Sequence, residues 1–516
     1  MAIPRITDLG IDEIKTIERL RAPSVIVELR GSAAVAVDSY GRIIAGPDTD
    51  HAAVIQAAVN AALRGGTIFI RRGRYYLSRP VTVNTGWAKF AIVGEGPGAW
   101  ERTFGTVLSP TSSFPTDNYL FDFTFSSYAS VRIADIVMYN DKSGINVGGI
   151  RFHYSSTREL YGLSLVAERL FLHYLWRGIH YLGSMSPVLR DIHCSDYSLT
   201  WTGDADLILE KSPSSGLIPK EGRVENWLSH HHGQLANAMR LDCAYFTFYS
   251  VGIFGRNDDP NNPADFTDAM IRLGHQTAAV SNKFMHVHAH DVRTGETVLL
   301  FDGVDPSAPK CFDNIIEHAF AEPIKIAFRN NAFNNVVRLS PPLRGVTIDD
   351  SGAYYDPANG LLNRIEIVST HQDLAYGFIP PPDATKVMVI DRRFDGLPYS
   401  ESKSVAIGTG NAYGSATSFR PRSYRITHVG GVKITWSGTF GTGETVTAKI
   451  TAVYRDGTSY YVEKSATATG SLWLSNDDMA ALLQGWPKEV VRIDAQAKTN
   501  LSSTSATVSV QVLGRM

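Results

Sequence analysis

The hydrophobic pattern changes period three times along the chain. From Thr7 to Leu20 the residues Leu9, Ile11, Ile14, Ile17 and Leu20 recur at helical spacing, with Asp12, Glu13, Lys15 and Glu18 between them. This predicts a short amphipathic helix, packed on its own chain or zipped with copies of itself. In the run DTDHAAVIQAAVNAALRGGTIFIRRGRYYL, Thr49 or Asp50 can cap a helix from about His51 to Leu63, which Gly65-Gly66 ends. Thr67 to Ile70 then reads as a strand, Gly73 as a turn, and Tyr75 to Leu77 as a second strand.

Further on, a polar residue recurs just ahead of a short apolar strand, at Asp135, Glu168, Asp191, Asn226, Asn282, Asn314, Asn335 and Asn363. The intervals run from 21 to 35 residues, apart from one of 56 between Asn226 and Asn282. Such spacing suits a solenoid with three short strands and three turns per coil. The long interval suits two coils, with a hidden rung near Val251 to Phe254. Ordinary crossover chirality makes the coil right-handed. After Asp391 the texture changes to a Ser, Gly, Thr and Ala-rich stretch, then to alternating segments at Val432–Trp436, Thr445–Tyr454, Ser459–Lys464, Val490–Ala497 and Ala506–Leu513. These predict an antiparallel β-sandwich, with Asp456-Gly457 as a hairpin turn and Asn476–Leu483 as a short helix.

The segment from 48 to 98 resembles the opening of the pectate-lyase-like superfamily, particularly viral tailspikes and polysaccharide depolymerases. Its parts are Asp48-Thr49-Asp50, Ile55-Gln56-Ala57-Ala58, Gly65-Gly66-Thr67, Ile68-Phe69-Ile70, Gly73-Arg74-Tyr75 and, on the next rung, Ile92-Val93-Gly94-Glu95-Gly96. Arg71-Arg72 departs from it, since a proline commonly precedes the Gly turn. The resemblance implies an all-β, right-handed parallel β-helix capped by a helix. The expected organisation is a neck or attachment segment at 1–46, the β-helix at 47–397 and a sandwich at 398–516 that trimerises the protein or binds glycan.

Composition agrees with a turn-rich β protein: 44 Gly, 22 Tyr and 23 Phe, with 19% charged residues. A net charge of -2 and the lack of any Lys/Arg run give no field that would draw nucleic acid or an anionic membrane. No stretch is apolar enough for membrane insertion, and the amino terminus shows no secretory signal, so extracellular glycan is expected to be reached from a virion released from the host cytoplasm. Cys194, Cys243 and Cys311, odd in number and far apart, are expected to be buried single thiols in place of a disulfide framework. No cofactor or metal is expected.

Glycoside hydrolysis needs two carboxyl groups, and lyase chemistry needs a base beside a neutralised uronate, so outward carboxylates near aromatics are the candidates. In LTWTGDADLILE, alternation places Asp204, Asp206 and Glu210 opposite Ala205, Leu207 and Leu209, near Trp201. Both aspartates are therefore expected to face solvent and to be dispensable for folding. Glu225 and Trp227 precede His230-His231-His232, from which His230 and His232 are taken as substrate contacts. In MHVHAHD, His286, His288 and His290 share one strand face, and His286 and His288 are taken as further glycan contacts; neighbours there stand about 7 Å apart, too wide for one metal ion. Asp258 and Asp259 sit in an Asp-Asn-Pro loop that reads as a turn, a calcium loop or a source of catalytic carboxylates. The polygalacturonase motif set and an Asp-Pro-His epimerase motif are missing. The expected function is a homotrimeric viral tailspike, attached to the tail or baseplate through its amino terminus, that binds and cleaves host cell-surface polysaccharide as a hydrolase or lyase. A non-catalytic glycan-binding adhesin and a cellular lyase, hydrolase or epimerase are the rivals.

Overall fold

The computed structural model describes residues 24–96, 105–157, 164–183, 186–196, 201–255, 266–290, 292, 295–321, 324–340, 346–356, 361–368, 384–391, 398–419, 428–454, 457–484 and 490–515. The helix expected over Thr7–Leu20 lies outside them. They fall into two compact units, one running through Arg338 with Thr347–Arg364 and Ala384–Met388, the other holding chiefly residues from Val389 on.

The first unit is a parallel β-helix. Helix α1, His51–Ala62, starts where expected: the Asp50 side chain accepts from the Ala53 amide. Its buried side, Val54, Ile55, Ala58 and Val59, covers the end of the coil. Gln56, the polar member of the Ile-Gln-Ala-Ala run, is a clamp, since its amide donates to the Thr82 carbonyl (2.8 Å) and accepts from the Thr82 amide (2.7 Å). The described residues of the segment expected as a neck, 24–46, lie mostly in three strands on the first coil, the third of which runs on to Asp48. Val25–Arg30 pairs in parallel with Ile68–Ile70 and antiparallel with Ala33–Asp38, which pairs in turn with Ile43–Asp48.

Each coil then has three faces. Face a stacks residues 130–134, 164–168, 186–190, 223–225 and 247–248 in parallel register. Face b stacks 136–139, 170–173, 192–195, 227–230, 251–254 and 287–290. The hidden rung at Val251–Phe254 is thus real. Face c stacks 118–125, 147–154, 177–182, 202–210, 234–241, 271–273 and 299–302. Inward positions form apolar columns, for example Phe123, Phe152, Tyr181, Leu209, Leu241, Leu273 and Phe301, all fully buried.

The polar residues read as one ladder belong to two corners. Between faces a and b, Asp135, Arg169, Asp191 and Asn226 all have positive φ, and neighbours bond through side chains: Arg169 is bidentate on Asp135, and Asn226 donates to Asp191. The residue at this corner is therefore Arg169, and Glu168 lies one place earlier, on face a. Gly94 meets this corner so closely that a Cβ would stand 2.2 Å from the Asp135 carbonyl oxygen. The second corner, ahead of face a, carries Asn282, Asn314, Asn335 and Asn363, each fully or almost fully buried. Each of the first three donates its Nδ2 to the Oδ1 of the next, at 2.9, 2.8 and 3.0 Å. The same oxygens accept backbone amides, so each buried amide group is satisfied by its neighbours.

In the second unit, a sheet of strands 398–405, 428–439, 470–473 and 505–515 and a five-stranded sheet of 407–408, 417–419, 446–454, 459–466 and 490–499 enclose Trp436, Tyr454, Ile450 and Val510. This is the expected sandwich. Helix α2, Asn476–Leu482, opens with a capping box between Ser475 and Asp478. Gly457 takes the left-handed turn conformation, while Asp456 lies outside the described residues. Cys194, Cys243 and Cys311 are buried and free.

Candidate functional site

The turn from face b to face c opens into a cleft of about 430 Å³, walled by Tyr139, Tyr174, Trp201 and the loop 140–146. The loop is held by Asn140, whose Nδ2 donates to the Ile145 carbonyl and whose Oδ1 accepts from the Lys142 amide. At its base Asp141 pairs with Arg74 (2.8 Å) and Lys142 (2.9 Å), and the Arg74 guanidinium lies 4.9 Å from the centre of the Tyr139 ring.

Trp201 has a built support. Its indole lies nearly parallel to the His231 imidazole, 6.1 Å between centroids and 14° between planes. His231 is 1% exposed and uses both nitrogens, Nδ1 to Asp196 (2.6 Å) and Nε2 to Asp206 (2.6 Å). Burial opposes its charge, but the two carboxylates outweigh burial and push its pKa up to about 10. At neutral pH a charged imidazole, held by the two carboxylates, therefore stacks behind the indole and supports the ring against the cleft. Asp196 is fixed in turn, accepting the backbone amides of His232 (3.1 Å) and Gly233 (2.7 Å).

Beside this support, face c carries a network of charges drawn from successive coils. Asp204 is gripped by Arg177 (2.6 Å) and Arg240 (2.6 Å). Arg240 also reaches Glu210 (2.9 Å), which bonds to His180, which contacts the Tyr119 hydroxyl (2.7 Å). Burial would raise the Asp204 carboxyl, yet the two guanidiniums hold it below the usual range. Burial likewise acts against Glu210, and His180 and Arg240 bring it down to about 2. Burial pushes the neighbouring Asp242 up to about 6, but that carboxyl is fully enclosed and accepts the His275 and Gln276 amides.

The expected site residues divide accordingly. Trp201 lines the cleft, and Asp204 is outward and 15% exposed, as the alternation implies. Asp206 is also on the outward side of its strand but is 3% exposed, because His231 from the next coil closes over it. It does not face solvent. Trp227 is a correction: it points inward, 1% exposed, in register with Ile192 and Val251, because the left-handed residue Asn226 resets the alternation. Glu225 belongs to a different place, the outer side of face a, where it pairs with Arg190 (2.7 Å) in a ladder that includes Glu168. His230 and His288 lie on the outer side of face b, within a partly buried stripe that also holds Phe171, His193, Phe254 and Phe320. His286 sits at the a/b corner and stacks on His318 (4.7 Å, 8°). His232 is in the b/c turn, 5.2 Å from the His230 ring. Among the described residues no group of three or more His, Cys, Asp or Glu could hold a metal ion. Asp258 and Asp259 lie outside the described residues. Sequence reasoning missed Asp196, in the same b/c turn as Trp201, and Arg177, Arg240, Tyr139 and Tyr174, which come from neighbouring coils and share no local motif with Trp201.

No family model and no curated protein matches the sequence. Among solved structures, the chain is similar to the enzymatically active domain of tailspike protein 2 of bacteriophage CBA120, at 8% identity over 88% of this chain and 76% of that one, with a TM-score of 0.41. It is also similar to full-length tailspike protein 2 from Escherichia coli O157:H7 bacteriophage CAB120 (8%, 88% and 68%, 0.37) and to the active domain of tailspike protein 4 of bacteriophage CBA120 (9%, 94% and 68%, 0.26). These overlaps are loose, and the fold stands on the strand pairing itself: the first unit of the chain is a parallel β-helix.

Proposed function

We propose that this chain is a tailspike-type protein that holds a host cell-surface polysaccharide in the cleft at the b/c corner. The observation that carries the reading is Trp201, an aromatic surface fixed from behind by a buried imidazolium and opening on a cleft of sugar size. A flat apolar ring suits the C–H face of a pyranose, and the rim groups Asp141, Lys142 and Asn146 suit its hydroxyls. The motif series over 48–98 and the stacked coils support the same family of functions. In this reading three copies associate, and the amino-terminal end, with the strands on the first coil, meets the virion tail.

Binding stands ahead of cleavage. A hydrolase needs one carboxyl held protonated near neutral pH and another ionised across the scissile bond. Asp204 is held ionised, Asp206 is sealed beneath His231, Glu225 is on another face, and Asp242 has no exposed surface. Among the described residues the one carboxyl that lines the cleft is Asp141, paired with Arg74 and Lys142, so the two carboxyls that hydrolysis needs do not meet there. Purified protein should be tested by calorimetry against capsule and exopolysaccharide from candidate hosts, with the products sized and examined for unsaturated ends. Binding that falls at least about tenfold in Trp201→Ala, in line with the loss of one aromatic stacking contact, is expected. Full affinity in that variant overturns the site, and shortened polymer overturns the preference for binding over cleavage.

A further inference from the structure

The outer side of the sandwich's five-stranded sheet brings together two tyrosines and two lysines. Lys449 Nζ stands 4.0 Å from the centre of the Tyr461 ring and 5.6 Å from that of Tyr413, and Lys498 Nζ stands 4.5 Å from Tyr413. Among the described residues neither lysine forms an ion pair; both ammonium groups rest on aromatic faces. Tyr461 is 56% exposed. The loop carrying Tyr413 is pinned to the sheet edge, with Asn411 N donating to the Thr499 carbonyl (2.9 Å), Gly414 N to the Ala497 carbonyl (2.9 Å) and Gln496 Nε2 to the Gly414 carbonyl (3.1 Å). Thr447 and Ser465, hydrogen-bonded at 2.8 Å, add hydroxyls to the same face.

We propose that this face is a second carbohydrate site, separate from the Trp201 cleft, and that it takes an acidic glycan built of carboxylated sugars. The charge balance sets the class. Arg492 and Asp494 cancel each other, and Glu463, opposite Lys449 in the strand register and beside the Tyr413 phenol, offsets one lysine, so these groups leave one excess positive charge on the face. An ammonium over an aromatic ring keeps its other donors free, and a sugar carboxylate can accept from them while the pyranose lies against Tyr461. The side chains are already ordered by the sheet and the pinned loop, so binding costs little conformational entropy.

The test is affinity electrophoresis of the full chain in gels containing polygalacturonate, dextran or poly-glutamate. Retardation is expected in polygalacturonate only. It should weaken at least tenfold in the Lys449→Gln/Lys498→Gln double variant and in Tyr461→Ala, while Tyr461→Phe and Trp201→Ala retain it. The Trp201→Ala arm separates this site from the cleft, so either reading can fail alone. Equal retardation by poly-glutamate, which indicates simple ion exchange, overturns the proposal. So does a wild-type protein that polygalacturonate does not retard, or unchanged retardation in the lysine pair or Tyr461→Ala variants.

Discussion

Asp204 and Asp206 are two residues apart on one strand, yet they meet different partners because the partners come from other coils. Asp204 balances Arg177 and the nearly buried Arg240, so Asp204→Asn leaves two guanidiniums facing a neutral amide and should cost about 1–3 kcal/mol in urea unfolding. Asp206→Asn, which strips one anion from a buried imidazolium, should cost about 3 kcal/mol or more. Unchanged midpoints in both would contradict the ion-pair geometry. The expectation that both are dispensable for folding does not fit their contacts: alternation tells which way a side chain leaves its strand, but not what closes over it. The pH dependence follows from the same group. The His231 pKa is raised from an ordinary 6.5 to about 10, so its stabilisation is complete below pH 6.5 and is lost as pH rises toward 10. Stability should fall through that window at up to about 1.4 kcal/mol per pH unit, and His231→Gln should flatten the fall. On the acid side, burial and then neighbouring imidazoles hold His193 and His288 down to about 4, so each destabilises the fold as pH falls from 6.5 to 4.

At the scale of elements, the capping helix, its Asp50 cap and the two strands that follow it were legible because every signal there is local: a side chain caps its own helix and a glycine turns its own strand. The corner ladders were legible as a recurrence and misassigned in detail. One residue of offset separates Glu168 from Arg169, and a corner residue with positive φ puts Trp227 inside when unbroken alternation would put it with the site. Which of two corners a polar residue occupies depends on the register between coils, and no segment carries that information alone. The asparagine corner yields a direct test. Asn314 donates to Asn335 and accepts from Asn282 with no exposure to water, so Asn314→Ala leaves unsatisfied amide groups on both sides. A loss of about 2 kcal/mol or more is expected from chemical denaturation, against a near-neutral change for Asn84→Ala on the exposed side of a strand. Equal effects would mean that the ladder does not bear on stability.

Over the whole molecule, stacking satisfies each internal strand edge with the next coil, and the strands over residues 25–48 with helix α1 cover the first. Unfolding must break a continuous core, so native protein should resist protease through residues 105–338 and melt at high temperature; rapid internal cleavage would contradict a continuous solenoid. The tailspike reading also expects a trimer in light scattering at micromolar concentration, and a clean monomer would remove its structural support. The central claim is that the fixed indole at the b/c corner is a sugar platform, and a crystal structure with an oligosaccharide fragment of the bound polymer tests it most directly. A pyranose ring is expected to stack on Trp201, between Tyr139 and the loop 140–146, with His231 unmoved behind it. Sugar bound elsewhere on the coil, with this cleft left to solvent at saturating ligand, would contradict it.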